Sequence, residues 1–476
     1  MPVINTAREL YTFRKSLYAQ FTYRADSAME LLDALCSNQY ARSPVELSLN
    51  PLFRRGHDSL FKAIGEALVP SLSSADAGGS RRGIIELISE VVPSPGEQPF
   101  RLFCIDCSSI ARVYARTLEE RSMVHRPSAV KGQKPVTIGH SYSMVAALPE
   151  RDARDARWTI PLDIERVPTH SSAIEVAVSQ VDAIMGNDGL EWHGQLNVLV
   201  LDSAYGVKGC LEPLQQHSSL VTIARVRSNR VFYQLPEADA YSGKGRRPWY
   251  GERFALNNAD TWHPPEEGVE FTEIGKSGPI HVEIRAWSTM LMRGSKEHPM
   301  HEHPFTLIRV ERRNAQGQRI GKVMWLIVIG NHRASIDVLQ AYWAYRQRFD
   351  IEHSFRFLKR NLLLNAFQTP ELEHEQDWLK FVMLAYVQLW AAQPISIEVP
   401  NPWETLKERA LYSRIPPSKV QQDWYRIIRL VGTPAAEVKP RGKSPGRQIG
   451  ETQTPRKRYR VVKKGKSRTP DDKKAA

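Results

Sequence analysis

The spacing of apolar residues changes near residue 97, from the period of a helix to the period of a strand. Before that point, the segments FRKSLYAQFTYRADSAMELLDALCS and HDSLFKAIGEALV carry apolar residues three and four positions apart, which is typical of amphipathic helices. Between them, NQYARSPVELSLNPLFRRG has the composition of a loop. We therefore expect a helical N-terminal domain over residues 1–97.

From residue 97 onward, short apolar runs interrupted by amphipathic segments predict an α/β domain. Three strands, a helix, a strand, a helix and a strand in succession are typical of an RNase H-like domain, which is a sheet with helices on its faces. Many other α/β domains follow a similar succession, so the order alone leaves the fold open. The predicted strands are Phe103–Ile105, Thr137–Leu148, Trp158–Val167, the run LNVLVL before Asp202, and Leu220–Val226; the predicted helices are Ile174–Met185 and Val207–His217.

A stretch rich in Pro, Gly and aromatic residues then interrupts the succession, with alternating segments such as HVEIRAW and FTLIRVER. This pattern predicts a β-rich insertion. An apolar strand at Val323–Gly330, a long helix and an apolar helix at Glu375–Ala392 follow it. The predicted organisation is a helical N-terminal domain (1–97), the first part of an RNase H-like core (98–228), a β-rich insertion (229–317), the second part of the core with the long helix (318–395), a helical annex (396–438) and a disordered basic tail (439–476).

The net charge of +13 lies almost entirely in the last 38 residues. Residues 439–476 contain 14 Lys and Arg but only 3 Asp and Glu, among many Pro, Gly, Ser and Thr. Such a composition predicts disorder. A flexible cationic tail gains sequence-independent affinity for DNA by releasing counterions, although a tail that only aids solubility is an open alternative. The basic N-terminal helices also suit DNA binding, and a purely structural helical domain is equally open.

Composition also bears on the compartment. There is no run of about 18 apolar residues that could span a membrane, and MPVINTARELYTFRKSLYAQ lacks an apolar signal core. We expect a cytoplasmic, nucleoid-associated protein without a membrane partner. The chain has only 4 cysteines, which suits a reducing compartment. Cys104 and Cys107 form one Cys-x-x-Cys pair, but no second pair completes a structural zinc site, so we favour packing over a metal or redox role.

Three carboxylates stand at positions that suit metal ions. Asp106 and Asp202 each follow an apolar run, and ligands of open α/β sheets bind outside the carboxyl ends of strands. Each Asp taken alone is more typical of a turn. Together with Glu352 on the long helix, however, they supply the oxygen ligands that two Mg²⁺ ions about 4 Å apart require for phosphoryl transfer. Without cations, three neighbouring carboxylates would repel one another.

The long helix carries Tyr345, Arg348, Glu352 and Lys359 on one stripe. At about 100° per residue, these four side chains fall within an arc of about 60°. An aromatic ring, two cations and a carboxylate make a poor core face, but they suit phosphates and a metal. A solvated charged face is the alternative.

The spacing of these four residues, Tyr-x2-Arg-x3-Glu-x6-Lys, resembles the signature of one branch of bacterial insertion-sequence transposases of the two-aspartate, one-glutamate (DDE) class. The surrounding AYWAYRQRFDIEHSFRFLKRNLLLNAFQTP also resembles that branch, as do FCIDCSS around Asp106, GHSY, and VLDSAYG around Asp202. The resemblance spans residues 100–395. That branch has a β-rich insertion between its second Asp and its Glu, and the distance from Asp202 to Glu352 leaves room for one.

The resemblance implies a DNA transposase that excises and inserts an insertion sequence, with Mg²⁺ as cofactor and Mn²⁺ as its substitute. It implies two partners: double-stranded DNA, as terminal inverted repeats and as target, and a second copy of the chain in a homodimer on paired ends. A metal-dependent endonuclease that cuts without joining is one alternative, and a transposase-derived DNA-binding protein is another, which the intact carboxylates disfavour. The implied catalytic and metal-binding residues are Asp106, Asp202 and Glu352, and the implied phosphate-gripping residues are Tyr345, Arg348 and Lys359.

Three arginines lie where the chain passes from the fifth strand to the insertion: Arg225, Arg227 and Arg230. They are placed to contact DNA, and ordinary surface charge is the alternative. Some transposases of this class form a hairpin at the transposon end, for which a base flips out and stacks on an aromatic ring. The candidates for that ring are Trp249, Trp287 and Trp325, and strand packing suits Trp325 better.

The histidines suit structural roles better than metal binding. His140 follows Gly139 in a strand next to the first one, but neutral imidazole is not a usual Mg²⁺ ligand. The segment KEHPMHEHP, with His298, His301 and His303, lacks cysteines and contains Pro, so we expect a loop without a ligand role.

Overall fold

The computed structural model describes residues 4–68, 74–126, 132, 134–152, 155–237, 248–275, 278–398, 414–440, 442, 446, 448–452 and 454–463, with the backbone alone at 74–80. In this part of the chain, no helix is both long enough and apolar enough to cross a membrane. The predicted annex segment WETLKERALY lies outside the described residues.

Helices make up the N-terminal region and pack mainly against the later helix Leu372–Ala392. Thr6 begins the first helix with a capping box: its side chain accepts from the Glu9 amide, and the Glu9 side chain accepts from the Thr6 amide. Arg14 and Asp33 form a buried ion pair at 2.7 Å, and Arg14 also donates to Gln388. The helices are α1 (Ala7–Ala19), α2 (Ala25–Cys36), α3 (Pro44–Leu47), α4 (His57–Glu66), α5 (Ser74–Ser89), α6 (Ala173–Met185), α7 (Lys208–Leu211), α8 (Val338–Gln347), α9 (Asp350–Arg360), α10 (Leu372–Ala392) and α11 (Pro417–Val431).

A single twelve-stranded mixed sheet runs through the molecule, in the order β2-β3-β1-β5-β6-β12-β11-β10-β7-β8, with β4 beside β3 and β9 beside β10. β1 pairs antiparallel with β3 but parallel with β5, and β5 pairs parallel with β6. The strands are β1 (Arg101–Ala111), β2 (Ser122–His125), β3 (Val136–Leu148), β4 (Ile160–Arg166), β5 (Asn197–Leu201), β6 (Leu220–Val226), β7 (Val231–Gln234), β8 (Arg253–Ala255), β9 (Glu267–Gly275), β10 (Gly278–Leu291), β11 (Phe305–Asn314) and β12 (Met324–Ile329).

The strands between residues 229 and 317 extend this same sheet. β11 pairs antiparallel with β12, and β12 pairs antiparallel with β6. The stretch is therefore β-rich, as its alternating pattern predicts, but its strands are hydrogen-bonded through β12 to the strands that carry the candidate site.

The long helix predicted around Tyr345 is two helices rather than one. α8 ends at Gln347 and α9 begins at Asp350. At the junction, the amides of Phe349, Ile351 and Glu352 bond three residues back instead of four, which tightens the turn. Because the turn angle changes there, the 60° arc calculated for one regular helix does not hold across Arg348.

Part of the basic tail lies on the body of the protein. The amides of Tyr459 and Val462 donate to the carbonyls of Arg116 and Arg121, and the Arg121 guanidinium donates to the Tyr459 carbonyl. Val462 also forms a parallel bridge with Ser122, the first residue of β2. The predicted disorder is therefore wrong for this stretch, because the unpaired edge of β2 and its preceding loop supply backbone partners for it.

Candidate active site

Asp106 and Asp202 lie side by side just beyond the point where the parallel pairing of β1 and β5 ends. The last registered pair between β1 and β5 is Cys104 with Val200, and each Asp lies two residues beyond its member of that pair. Neighbouring strands are about 4.8 Å apart, so the register brings the two carboxylates together. The prediction that Asp106 closes its strand is wrong, however, because β1 continues to Ala111 in its antiparallel pairing with β3.

Local hydrogen bonds orient the two aspartates. The Cys107 amide donates to Asp106 Oδ1 at 2.8 Å, and the Ala204 amide donates to Asp202 Oδ1 at 2.8 Å. Behind Asp202, the loop approaches β6 so closely that a Cβ on Gly206 would lie 2.4 Å from the Arg225 carbonyl oxygen. The turn after β5 therefore requires glycine at 206.

Arg348 connects Glu352 to Asp106 by contacting both carboxylates. One terminal nitrogen of the Arg348 guanidinium lies 3.8 Å from Asp106 Oδ2, and the other lies 3.4 Å from Glu352 Oε1. The guanidinium carbon is also 5.7 Å from the centre of the Tyr345 ring, which is buried. The structure thus brings together Asp106, Asp202, Glu352, Arg348 and Tyr345, although they come from three separate parts of the chain.

The electrostatics of the site favour a cation. Burial raises the pKa of Asp106 to about 6, and the charges of Asp202 and Glu352 add to the rise, whereas Arg348 and the Cys107 amide oppose it. Burial disfavours the charged form of Arg348, but Tyr345 and the three carboxylates outweigh it and raise the Arg348 pKa. In this arrangement the guanidinium is the neighbouring positive charge that stabilises the carboxylates.

The donor set fits a divalent metal ion, although its geometry leaves room for one only after a rearrangement. The carboxylates offer the hard oxygen ligands of Mg²⁺. In the described parts of the chain, no three His, Cys, Asp or Glu side chains are grouped so that they could hold a metal ion. Arg348 lies between Asp106 and Glu352 instead. Holding one metal with both side chains therefore requires its guanidinium to move aside.

Tyr205 also belongs to this site, although it was not predicted from the sequence. Its side chain is buried, and its hydroxyl has no hydrogen-bond partner within the described ranges. Burial raises its pKa strongly, with contributions from Cys107, Asp106 and Asp202. An unsatisfied buried hydroxyl beside two carboxylates is costly unless a ligand or water completes it. Its place in VLDSAYG, three residues after Asp202, was the available signal.

Lys359 makes its hydrogen bonds to the strand that carries Asp106. Its ammonium group donates to Ser108 Oγ at 2.7 Å and to the Ser109 carbonyl at 3.2 Å. Burial lowers its pKa, while Cys107 and Asp106 partly oppose this effect. Lys359 therefore connects α9 to β1, two residues beyond Asp106.

The three predicted arginines occupy unequal positions. Arg225 is half-buried on β6, and Arg227 is exposed just after that strand. Arg230 donates to the Gly206 carbonyl at 3.0 Å. Since Gly206 lies in the loop that carries Asp202, Arg230 supports the site from behind.

Of the three candidate tryptophans, only Trp249 presents its ring at the surface. Trp287 and Trp325 are 1% and 2% exposed and pack together in the sheet. Trp249 is 42% exposed and stacks on His301, with ring centres 3.9 Å apart. Of the three rings, those of Trp287 and Trp325 are covered and that of Trp249 is accessible.

A buried polar cluster behind the site was not foreseen from the sequence. Glu375, on the first turn of α10, accepts from the Arg112 guanidinium at 2.5 Å and from Tyr142 at 2.6 Å. His140 Nδ1 lies 2.5 Å from the same carboxylate. The cluster joins α10 to the ends of β1 and β3, and it gives His140 a structural position.

The fold and these residues define a class: a mixed α/β protein with a large mixed sheet and two neighbouring aspartates where the parallel pairing of two strands ends. A family model described as DDE superfamily endonuclease matches residues 16–292. The match covers more than half of the chain, which therefore belongs to this family of DDE-type nucleases and transposases. It includes Asp106 and Asp202 and ends before Glu352. No curated protein matches the chain.

Proposed function

We propose that this protein is a DNA transposase, which cuts DNA at the ends of an insertion sequence and joins the freed ends to a target. The observation that carries the proposal is that Asp106 and Asp202 lie side by side on neighbouring parallel strands, and that Arg348 contacts both Asp106 and Glu352. Family membership supplies the DNA substrate and the nuclease chemistry. The strand succession around Asp106 and Asp202 supports an RNase H-like core, within the domain boundaries that the sequence predicts.

Asp106, Asp202 and Glu352 are the residues that would hold Mg²⁺, or Mn²⁺ in its place. Two such ions, when bound, activate the attacking oxygen and stabilise the leaving oxygen of a phosphodiester. The backbone amides at Cys107 and Ala204 keep one oxygen of each Asp in place. The second oxygen of each would bind the metal, and that of Asp106 lies 3.8 Å from Arg348. Burial of Asp106 and its carboxylate neighbours disfavours its unpaired charge, so the chain itself creates a demand for cations.

Arg348 is the residue that would exchange its carboxylate partners for a DNA phosphate. Its guanidinium is held by Asp106 and Glu352, and one of its nitrogens, Nε, lacks a hydrogen-bond partner within the described residues. A guanidinium suits the paired oxygens of a phosphate. With cations bound to the carboxylates, the Arg348 side chain would be available to a DNA phosphate, with Tyr345 against it.

An endonuclease that cuts without joining uses the same carboxylates, and only an assay of both steps separates the two functions. The substrate should be a supercoiled plasmid that carries the gene with its flanking DNA, because those flanks contain the ends of the element. We expect Mg²⁺-dependent excision at inverted repeats together with insertion into a second plasmid. Cutting without insertion would establish the endonuclease, and no metal-dependent cutting would overturn the proposal.

A matched pair of variants makes this test specific. Asp202→Asn removes a charge at the site, whereas Asp182→Asn removes one from α6, where Asp182 contacts His217. We expect the first variant to lose cutting and joining together, and the second to retain both. We also propose that the active form is a homodimer on paired ends, which sedimentation with and without end DNA would measure.

A further inference from the structure

A polar groove lies where the N-terminal helices, the end of α9 and α11 meet. Its volume is about 630 Å³. Residues from three separate segments line it: 38–42 after α2, 359–366 at the end of α9, and 418–422 on α11. A groove shared by three segments is a feature of the folded protein and is invisible in the sequence.

The charge of the groove is positive and largely unpaired. Its lining includes Arg42, Lys359 and Arg360 but no Asp or Glu. Arg42 and Arg360 are exposed, and neither forms an ion pair with a carboxylate in the parts of the chain that the structure describes. Cations kept free of carboxylate partners attract an anionic ligand, and the guanidinium of arginine binds phosphate through paired hydrogen bonds.

The remaining residues that line the groove suit contacts with nucleic-acid bases. Tyr40 is 86% exposed, although it stands among polar neighbours. Gln39, Asn365 and Gln422 are also exposed and offer both donors and acceptors. An open aromatic ring next to cations and amides is typical of surfaces that bind single-stranded nucleic acid, because bases stack on the ring while cations follow the backbone.

Lys359 connects the groove to the carboxylate site. Lys359 lines it and at the same time donates to Ser108 on β1, two residues beyond Asp106. Glu352 and Arg360 are eight residues apart on α9, which corresponds to about 12 Å along the helix axis. A DNA strand that passes the carboxylates therefore reaches the groove within a few nucleotides.

The wall at the end of α9 is held in a fixed shape. Leu363 has a φ of 61°, and the amide of Leu364 closes the helix by bonding to the Leu358 carbonyl at 3.0 Å. The Trp378 indole donates to the Leu363 carbonyl at 3.0 Å. A wall fixed in advance lowers the entropy cost of binding.

We propose that this groove binds an unpaired stretch of the DNA strand that leads to the carboxylates, with phosphates held by Arg42 and Arg360 and a base stacked on Tyr40. The inference rests on the proposed function for the identity of the strand. Tyr40, Arg42 and Arg360 are not part of the signature that resembles transposases, so the groove would be a further surface that positions DNA.

The test measures binding of a fluorescein-labelled, mixed-sequence single-stranded oligonucleotide and of the matching blunt duplex by anisotropy, without divalent metal. Tyr40→Ala should weaken single-strand binding about tenfold, which is the loss expected for one stacked base, and should leave duplex binding nearly unchanged. Arg42→Ala and Arg360→Ala should each reduce the salt slope for the single strand by about 0.7.

Conservative and distant variants serve as controls. Tyr40→Phe keeps the ring and should bind like the wild type. Lys15→Ala and Arg429→Ala remove exposed cations that do not line the groove, so the single-strand affinity should stay within about twofold of the wild type, as expected for surface positions without a contact. Equal losses in these controls and in the groove variants would overturn the inference.

Failure of the inference and failure of the proposed function give different results. If the groove variants bind both DNA forms like the wild type, the groove has another ligand and the inference is wrong, whatever the plasmid assay shows. If Tyr40→Ala loses single-strand binding but the wild type never cuts plasmid DNA, the groove stands as a DNA site and the transposase proposal falls.

Discussion

The ammonium group of Lys359 donates a hydrogen bond to Ser108 Oγ over 2.7 Å, across 251 positions of the chain. The bond joins α9, which carries Glu352, to β1, which carries Asp106. The signature that Lys359 resembles implies a phosphate grip, but in this structure the side chain is engaged inside the protein. Its first role here is to fix the distance between two elements of the site.

Our first prediction concerns this bond. Ser108→Ala should lower the free energy of unfolding by about 1 kcal/mol, the usual net value of one hydrogen bond. Lys359→Met should cost more, because it also leaves the Ser109 carbonyl without a partner. Urea unfolding of both single variants and of the double variant would give a coupling energy of about 0.5 kcal/mol or more.

Ser109→Ala is the matched control, because Ser109 offers its backbone carbonyl and not its side chain to Lys359. It should not couple to Lys359→Met. Strict additivity of Ser108→Ala and Lys359→Met would show that the bond contributes nothing to stability.

The second prediction identifies the third carboxylate. Glu352→Gln keeps the size of the side chain and removes the charge that a metal needs, so cutting with Mg²⁺ should disappear while affinity for end DNA changes little. Glu373→Gln, at an exposed position on α10, should cut normally. Near-normal cutting by Glu352→Gln would mean that another glutamate completes the site.

The third prediction concerns acid stability. Burial alone would raise the pKa of Glu375, but hydrogen bonds from His140 and Tyr142 and the charge of Arg112 lower it from 4.5 to about 2. A carboxyl group with a depressed folded-state pKa stabilises the protein fully above its unfolded pKa and loses that contribution as the pH falls. The contribution, about 3 kcal/mol, should vanish between about pH 4.5 and pH 2.

Glu375→Gln tests this prediction. It should destabilise the protein by about 3 kcal/mol or more at neutral pH, since Arg112 keeps a buried charge without its partner. Its free energy of unfolding should fall less steeply with acid than that of the wild type. Parallel pH profiles for the two proteins would show that the pKa of Glu375 does not differ between the folded and the unfolded state.

Local patterns predicted those elements whose partners are close in sequence or whose faces are uniformly buried. The strand predicted at Leu220–Val226 is confirmed as β6, because its apolar run is buried on both sides. The extension of β1 beyond Asp106 was not predicted, since Cys107, Ser108 and Ser109 carry no strand pattern and pair with β3 only after the chain turns back.

The candidate site shows the same limit. The spacing of Tyr345, Arg348 and Glu352 predicted that these residues lie near one another, and Arg348 contacts both of the others. The bond from Lys359 to Ser108 and the cluster around Glu375 join residues hundreds of positions apart. Only the fold decides which polar side chains of distant segments meet, and no periodicity in the sequence records it.

The fourth prediction separates the charge of the tail from its docking. Lys457, Arg458 and Arg460 are exposed, while the backbone of Tyr459 and Val462 bonds to residues 116–121. Replacing the three cations by Gln should reduce the salt slope of non-specific DNA binding by about 3 and leave the melting temperature unchanged. Removing residues 439–476 should flatten the slope further and also lower the melting temperature. An unchanged slope in both variants would mean that the tail does not touch DNA.

The last prediction addresses the guanidinium that lies between the carboxylates. Because Arg348 contacts Asp106 and Glu352, its removal frees these oxygens for a cation, and Arg348→Ala should bind Mn²⁺ as well as the wild type or more tightly. The same variant should hold end DNA more weakly and lose strand transfer steeply, even at saturating DNA, since alignment contributes heavily to such reactions. Arg348→Lys keeps the charge but loses the planar fork, so it should recover DNA affinity better than strand transfer.

Calorimetry with Mn²⁺, anisotropy with end DNA and a joining assay measure the three quantities separately. Loss of Mn²⁺ binding with normal DNA affinity would assign Arg348 to the support of the metal site and remove it from the phosphate contact.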